Sequence, residues 1–271
     1  MYWDRIDAKT GEILKKLRDT GLLRNFYLSG GTALALQLGH RISVDLDFFT
    51  KTPQSKLKAQ AVLNKLVQHF GQSKVALSYR AIDQLWVTLD GVKVTCLAYP
   101  FPRKYPLVEY EGIFLADAKD IALQKAFSIG RRATARDYVD LAWIVKSGVM
   151  TLLEIAQDAS EIFVDEGEKL FSEKVFLQQL VYTEDLEDKD TVVSLLHVPY
   201  DFDSLMQGLQ NAVEETARQT LMPDQEKPRK ELSQSSSSTT TCTTRCQTSK
   251  APVSSCRCGC GGKNHGTKRD H

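Results

Sequence analysis

A chain of 271 residues with 42% hydrophobic and 25% charged residues holds enough core-forming material for one large domain or two small ones. A net charge of +1 gives no global case for nucleic-acid binding, yet it hides an asymmetry. Residues 223–271 carry nine Lys and Arg against four Asp and Glu, leaving that stretch near +5 and the rest near −4. No run approaches the ~20 apolar residues of a membrane-spanning helix. The opening MYWDRIDAKTGEIL lacks the basic and apolar zones of a secretory signal, so a cytoplasmic location is expected.

Ala8 to Leu23 places Ile13, Leu14, Leu17 and Leu22 near one face, which predicts a helix. An apolar strand, Phe26 to Leu28, then meets the pair Gly30-Gly31, and a helix is expected from Thr32 to its stop at Gly39. Without Cβ atoms in the way, the free amides of such a helix start form a phosphate cradle. Thr32 serves either to cap that helix or to add a hydroxyl to the cradle. Arg41 has two readings, a triphosphate contact or a complement to the helix C-terminus; His40 reads as a local hydrogen-bonding residue. A strand is predicted over Ser43 to Thr50, and its alternation sends Asp45 and Asp47 to the same face. Each feature alone is common in structural roles. Two like charges on one face of a strand repel, however, and a divalent cation with hard oxygen ligands is the economical compensation.

GGTALALQLGHR followed by SVDLDFF resembles the AbiEii/AbiGii toxin family of nucleotidyltransferases, within the DNA polymerase β-like superfamily. That resemblance implies NTP and Mg²⁺ binding by Gly30, Gly31, Asp45 and Asp47. It also implies transfer of a nucleoside monophosphate to an acceptor hydroxyl, with transfer RNA among the acceptors. The setting it implies is the toxin of a bacterial toxin–antitoxin or phage-defence pair, with a separate antitoxin protein as partner.

Ser55 to Phe70 is predicted helical, and Leu85–Leu89 and Val92–Tyr99 flank Asp90-Gly91, a type I′ hairpin signal. The superfamily generally carries a third carboxylate on such a strand. VKVTCLAYPF offers none, and the matching position falls on Thr95. Phe114 to Lys146 is predicted helical. LQKAF followed by ARDYVDLAW resembles the family's second block, which implies that Lys125 contacts phosphates and that Asp137 or Asp140 completes the site. The plainer readings are that Lys125 snorkels from an amphipathic face and Asp137 caps a helix. Thr151 to Gln219 is predicted as further helices with acidic turns.

After Pro223 the composition turns low-complexity, and ELSQSSSSTTTCTTRCQTSK is expected to be disordered. Five of the six cysteines lie between Cys242 and Cys260, a clustering that favours metal over a disulfide framework. Cys256, Cys258, Cys260 and His265 suit tetrahedral Zn²⁺, with Cys242 and Cys246 as substitutes; an unstructured tail is the other reading. The fold expected is α+β: a polymerase β-like core with a small mixed sheet over residues 1–112, a helical subdomain over 113–222, and a tail over 223–271. Two other functions stand beside the transferase. One is a catalytically inactive nucleotide- or antitoxin-binding module; the other is a nucleic-acid adaptor working through its basic, Cys-rich tail.

Overall fold

The computed structural model describes residues 1–54, 56–132, 134–184, 186–197 and 201–221. The chain separates into Met1–Lys227 and Pro228–His271, and every described residue belongs to the first unit. Helix α1 (Ala8–Asp19) starts at Asp7, whose carboxylate accepts from the Lys9 and Thr10 amides, and it buries Ile13, Leu14 and Leu17. Strand β1 (Phe26–Ser29) runs directly into α2 (Gly30–Leu38), which Gly39 ends in the left-handed region at φ 67°. The helix therefore begins two residues before the expected Thr32, and the glycine pair is its first turn. Strand β2 (Leu46–Thr50) is shorter than the predicted Ser43–Thr50, because Ser43 bridges instead to Ile6 near the N-terminus.

Helix α3 (Ala59–Phe70) precedes β3 (Val75–Arg80), β4 (Gln84–Leu89) and β5 (Val92–Leu97). Asp90 and Gly91 both take positive φ, 49° and 90°, the type I′ geometry that their sequence announces. Next come β6 (Val108–Tyr110) and β7 (Ile113–Leu115), then α4 (Ala118–Ile129). Phe114 thus lies in a strand rather than at a helix start; the helix waits for Asp117, which caps it by accepting from the Lys119 amide.

Seven strands form one mixed sheet in the order β3-β4-β5-β2-β1-β7-β6. β2 lies at its centre, antiparallel to β1 and parallel to β5. β7 pairs with β1, so the sheet reaches residue 115, and the expected division between 112 and 113 falls inside the β6–β7 turn.

The remainder is mainly helical: α5 (Ala135–Lys146), α6 (Leu152–Ile162), α7 (Glu173–Val181), α8 (Lys189–Leu195) and α9 (Phe202–Leu221). A small hairpin, β8 (Val164–Asp165) and β9 (Glu168–Lys169), interrupts the expected run of helices. Helix α4 packs on α2, α5 and α6, and α9 lies against α5. Tyr27, Leu28, Phe48, Tyr138 and Phe163 are wholly buried in the shared core. Apolar side chains buried this completely contribute about 1.5–3 kcal/mol each. Among the described residues no helix is long and apolar enough to cross a membrane.

Candidate active site

The N-terminus of α2 faces β2 across a space that only glycine leaves open. A Cβ on Gly30, which sits at φ 64°, would stand 2.7 Å from Asp47 Oδ2. A Cβ on Gly31 would stand 3.0 Å from Arg41 Cζ and closer still to its Nη2. The pair thus lets a carboxylate and a guanidinium approach the helix start side by side. Ser29, the residue before the helix, makes no side-chain cap, so no capping oxygen claims the first amides. Thr32 neither caps the helix nor turns its hydroxyl freely into the cleft. Its Oγ1 hydrogen-bonds Ser43 Oγ at 2.7 Å and donates to the Asp45 carbonyl, tying α2 to the segment that leads into β2.

Asp45 and Asp47 both line a polar cleft of about 270 Å³, together with Arg41, Lys125, Arg132, Arg136 and Asp188. Loss of hydration raises the Asp47 carboxyl above its ordinary range; the Thr95 hydroxyl and the Lys125 charge oppose it. Asp45 is engaged differently. Its Oδ2 lies 3.4 Å from Arg136 Nη1, and Arg136 Nε lies 2.7 Å from Asp188 Oδ2. Asp188 in turn accepts from the Ala135 amide, which fixes it at the start of α5. Arg136 therefore bridges the two carboxylates across the mouth of the cleft.

Behind the cleft lies a buried ionic cluster. Asp140 is fully enclosed, and four donor atoms take its two oxygens. Arg41 Nε and Nη2 donate at 2.7 and 3.0 Å, Lys125 Nζ at 2.7 Å and His40 Nε2 at 2.7 Å. Burial alone would raise this carboxyl, but Arg41 and Lys125 outweigh it and hold it well below the usual range. Burial also pulls the His40 imidazole below its ordinary value, against the pull of Asp140. Lys125 donates to Asp137 Oδ1 as well, at 2.7 Å, while Arg132 Nε and Thr134 Oγ1 take Asp137 Oδ2 at 3.0 and 2.9 Å. Lys125 stays charged, because its two aspartates more than offset the cost of its burial.

The expected site residues thus come together in two layers. Gly30, Gly31, Asp45 and Asp47 form the open layer. Arg41, Lys125, Asp137 and Asp140 form the supporting one, of which Arg41, Lys125 and Asp137 also reach the cleft wall. Asp140, expected among the reacting groups, lies behind the cleft with its oxygens taken by Arg41, Lys125 and His40. Asp137 does not cap α5; it anchors Lys125. Sequence reasoning passed over Asp188, which stands in the acidic run EDLEDKD and looks like a solvated turn. Only the long-range approach of that turn to Ala135 gives it a role.

Asp47 is also the register partner of Thr95 on β5, and Thr95 is the partner of Trp86 on β4. A second, larger chamber of about 600 Å³ opens on this side, walled by Phe49, Trp86, Tyr99 and Phe101, with Arg131 and Arg132 opposite. It shares Asp47, Lys125, Arg132 and Asp137 with the polar cleft.

The donor set fits a hard divalent cation. Asp47 stands against the glycine-made room at the helix start and Asp45 lines the same cleft, while among the described residues no group of three or more acid, His or Cys side chains could hold a metal ion. Mg²⁺ is commonly bound by one or two carboxylates, with phosphates and water completing its shell. Cys256, Cys258, Cys260 and His265 lie outside the described residues, as do Cys242 and Cys246.

Residues 12–222 match the model of a family described as nucleotidyl transferase AbiEii toxin, type IV toxin–antitoxin system. An uncharacterized protein of Aquifex aeolicus is 33% identical over 193 residues, which cover 68% of this chain and 86% of that protein. Among solved structures, a putative nucleotidyltransferase from H. pylori aligns at a TM-score of 0.47 and 17% identity, over 78% of this chain and 94% of its own. MenT4, a nucleotidyltransferase toxin from Mycobacterium tuberculosis, aligns at 0.44 and 15%, over 81% and 87%. A family match that spans the sheet, the glycine turn and the ionic cluster alike settles the membership: the chain belongs to the AbiEii nucleotidyl transferase toxins.

Proposed function

We propose that the chain transfers a nucleoside monophosphate from an NTP to an acceptor hydroxyl and releases pyrophosphate. The new bond joins the acceptor oxygen to the α-phosphorus, the α–β anhydride bond breaks, and the acceptor proton leaves to base or solvent. The observation that carries this reading is the close approach of Asp47 and Arg41 to Gly30 and Gly31 at an uncapped helix start. The amides of that turn, Arg41, Lys125 and Arg132 give the phosphates hydrogen-bond donors and fixed positive charge. Asp45 and Asp47 would hold Mg²⁺, which when bound neutralises phosphate charge and lowers the pKa of a coordinated hydroxyl. Arg136 leaves Asp45 for the triphosphate as the nucleotide enters. Asp137 and Asp140 keep Lys125 and Arg41 aimed at the cleft.

The biological reading is a toxin paired with a separate antitoxin protein in a cytoplasmic setting, in defence against phage, with transfer RNA a candidate acceptor. The direct test incubates the full chain with each labelled NTP and with RNA or protein extract, with Mg²⁺ or with a chelator. Label transfer that needs Mg²⁺ is expected; none with any NTP would overturn the proposal.

Thr95 supports a second reading, an inactive nucleotide- or antitoxin-binding module. It stands beside Asp47 in register, where a third carboxylate would be expected to serve the acceptor. General-base help is worth about 10²- to 10⁴-fold, so an enzyme of this kind would be slow or would rely on an acceptor bringing its own base. Thr95→Asp separates the readings. A third negative charge beside Asp47 should lower the melting temperature without metal, enlarge the stabilisation by Mg²⁺, and leave transfer equal or faster. Thermal melts with and without Mg²⁺, run beside NTP turnover, check this. Unchanged Mg²⁺ stabilisation and unchanged turnover would remove Thr95 from the site.

A further inference from the structure

The pairing registers set four side chains in one line across four strands. Asp47 on β2 faces Thr95 on β5, Thr95 faces Trp86 on β4, and Trp86 faces Tyr79 on the edge strand β3. Neighbouring strands lie about 4.8 Å apart, so the backbones of Trp86 and Asp47 stand roughly 10 Å apart. That is about the reach of one nucleotide. Trp86 is 46% and Tyr79 45% exposed, with ring centroids 5.1 Å apart. The indole N–H donates to Gln84 Oε1 at 3.0 Å, which fixes the ring on the sheet surface. Two large rings kept half in water, in line with a carboxylate at the reacting centre, are poorly explained by packing alone.

The opposite wall of the same chamber carries Arg131 and Arg132, both exposed. Arg132 is committed to Asp137, but Arg131 donates to the Phe127 and Leu170 carbonyls and lies 3.5 Å over the Phe127 ring. Its charge meets no carboxylate partner among the described residues. An aromatic surface on one side and a cation on the other match the two parts of a polynucleotide, flat bases and phosphates.

We propose that the row from Asp47 through Thr95 to Trp86 and Tyr79 is a stacking platform for the end of a single-stranded nucleic acid. The terminal hydroxyl lies at Asp47 and Thr95, a base stacks on Trp86, the next on Tyr79, and Arg131 takes a phosphate. The platform rests on the transfer reaction only for what becomes of that hydroxyl. Stacking of this kind tolerates any base, because every base has a π-face.

The test uses the full chain and a fluorescent single-stranded RNA of about eight nucleotides with a free 3′-hydroxyl, within the range of known single-strand site sizes. Anisotropy should show binding that Trp86→Ala and Tyr79→Ala each weaken by about 5- to 150-fold, while Trp86→Phe keeps most of it. Both rings are exposed, so melting temperatures should stay close to that of the parent protein. The same sequence as DNA, run in parallel, identifies the sugar that the site takes; Trp86-dependent binding of either strand supports the platform. Equal RNA affinity in the parent and Trp86→Ala overturns it. So does NTP-dependent labelling of a protein acceptor by both, with no RNA bound. Trp86-dependent binding in a protein that turns over no NTP would sink the transferase reading and leave the platform standing.

Discussion

Asp47→Asn is expected to cut transfer at least about 10²-fold while the melting temperature holds or rises. On the proposed reaction the loss follows from removing one of the two carboxylates that would hold Mg²⁺, whose charge would stabilise the reacting phosphates. The stability follows from the sign of the shift. Burial raises the folded carboxyl above its unfolded value, so ionised Asp47 costs stability at neutral pH, and asparagine removes that cost. The difference between variant and parent should vanish below about pH 4, where the carboxyl is protonated in both states. Melts across that range, together with Mg²⁺-dependent turnover, check both halves. Full activity in the variant would displace the proposed site.

Asp140→Asn carries the opposite expectation, a large loss of stability. Arg41 and Lys125 are buried around this one carboxylate, and its removal leaves two cations short of a partner. Breaking a buried pair by removing one member costs about 3–5 kcal/mol. For a domain of this size that is a fall of roughly 6–20 °C in Tm. Here the folded carboxyl titrates below its unfolded value, so its stabilisation is present at neutral pH. It is lost as the pH falls below about 4 and through the depressed folded value. The gap between parent and variant should therefore narrow in acid. A neutral-pH change under about 1 kcal/mol would mean that the cluster relaxes around its loss, against the cost typical of a broken buried pair.

The parts of this fold that could be read from sequence are those set by local chemistry. Asp90-Gly91 dictates its hairpin because only a few residues accept two positive φ values in succession, and Gly39 stops α2 for a similar reason. Alternation over Ser43 to Thr50 pointed to both aspartates, yet only Asp47 stands on β2; Asp45 lies just before the strand and lines the same cleft. What escaped depended on distant partners. Ile113–Leu115 is too short to signal a strand, and it becomes one by pairing with β1 and β6. Asp140 looked like a reacting group, since nothing in ARDYVDLAW reveals that His40 and Arg41, a hundred residues earlier, arrive to enclose it. Asp188 lay hidden in an acidic turn for the same reason.

Arg136 gives the free protein an internal counterion, held between Asp45 and Asp188. Under the proposed reaction, a bare divalent ion arriving at Asp45 competes with a tethered guanidinium. An ion arriving with a triphosphate also brings anionic oxygens to which that guanidinium can transfer. Nucleotide and cation then tighten each other's binding, and linkage makes the two factors equal. The ratio of Mg²⁺ dissociation constants with and without nucleotide reads that factor directly, and a ratio of one would deny it. On that proposal, free Mg²⁺ alone would bind weakly, and the charged centre would assemble only with a nucleotide in place.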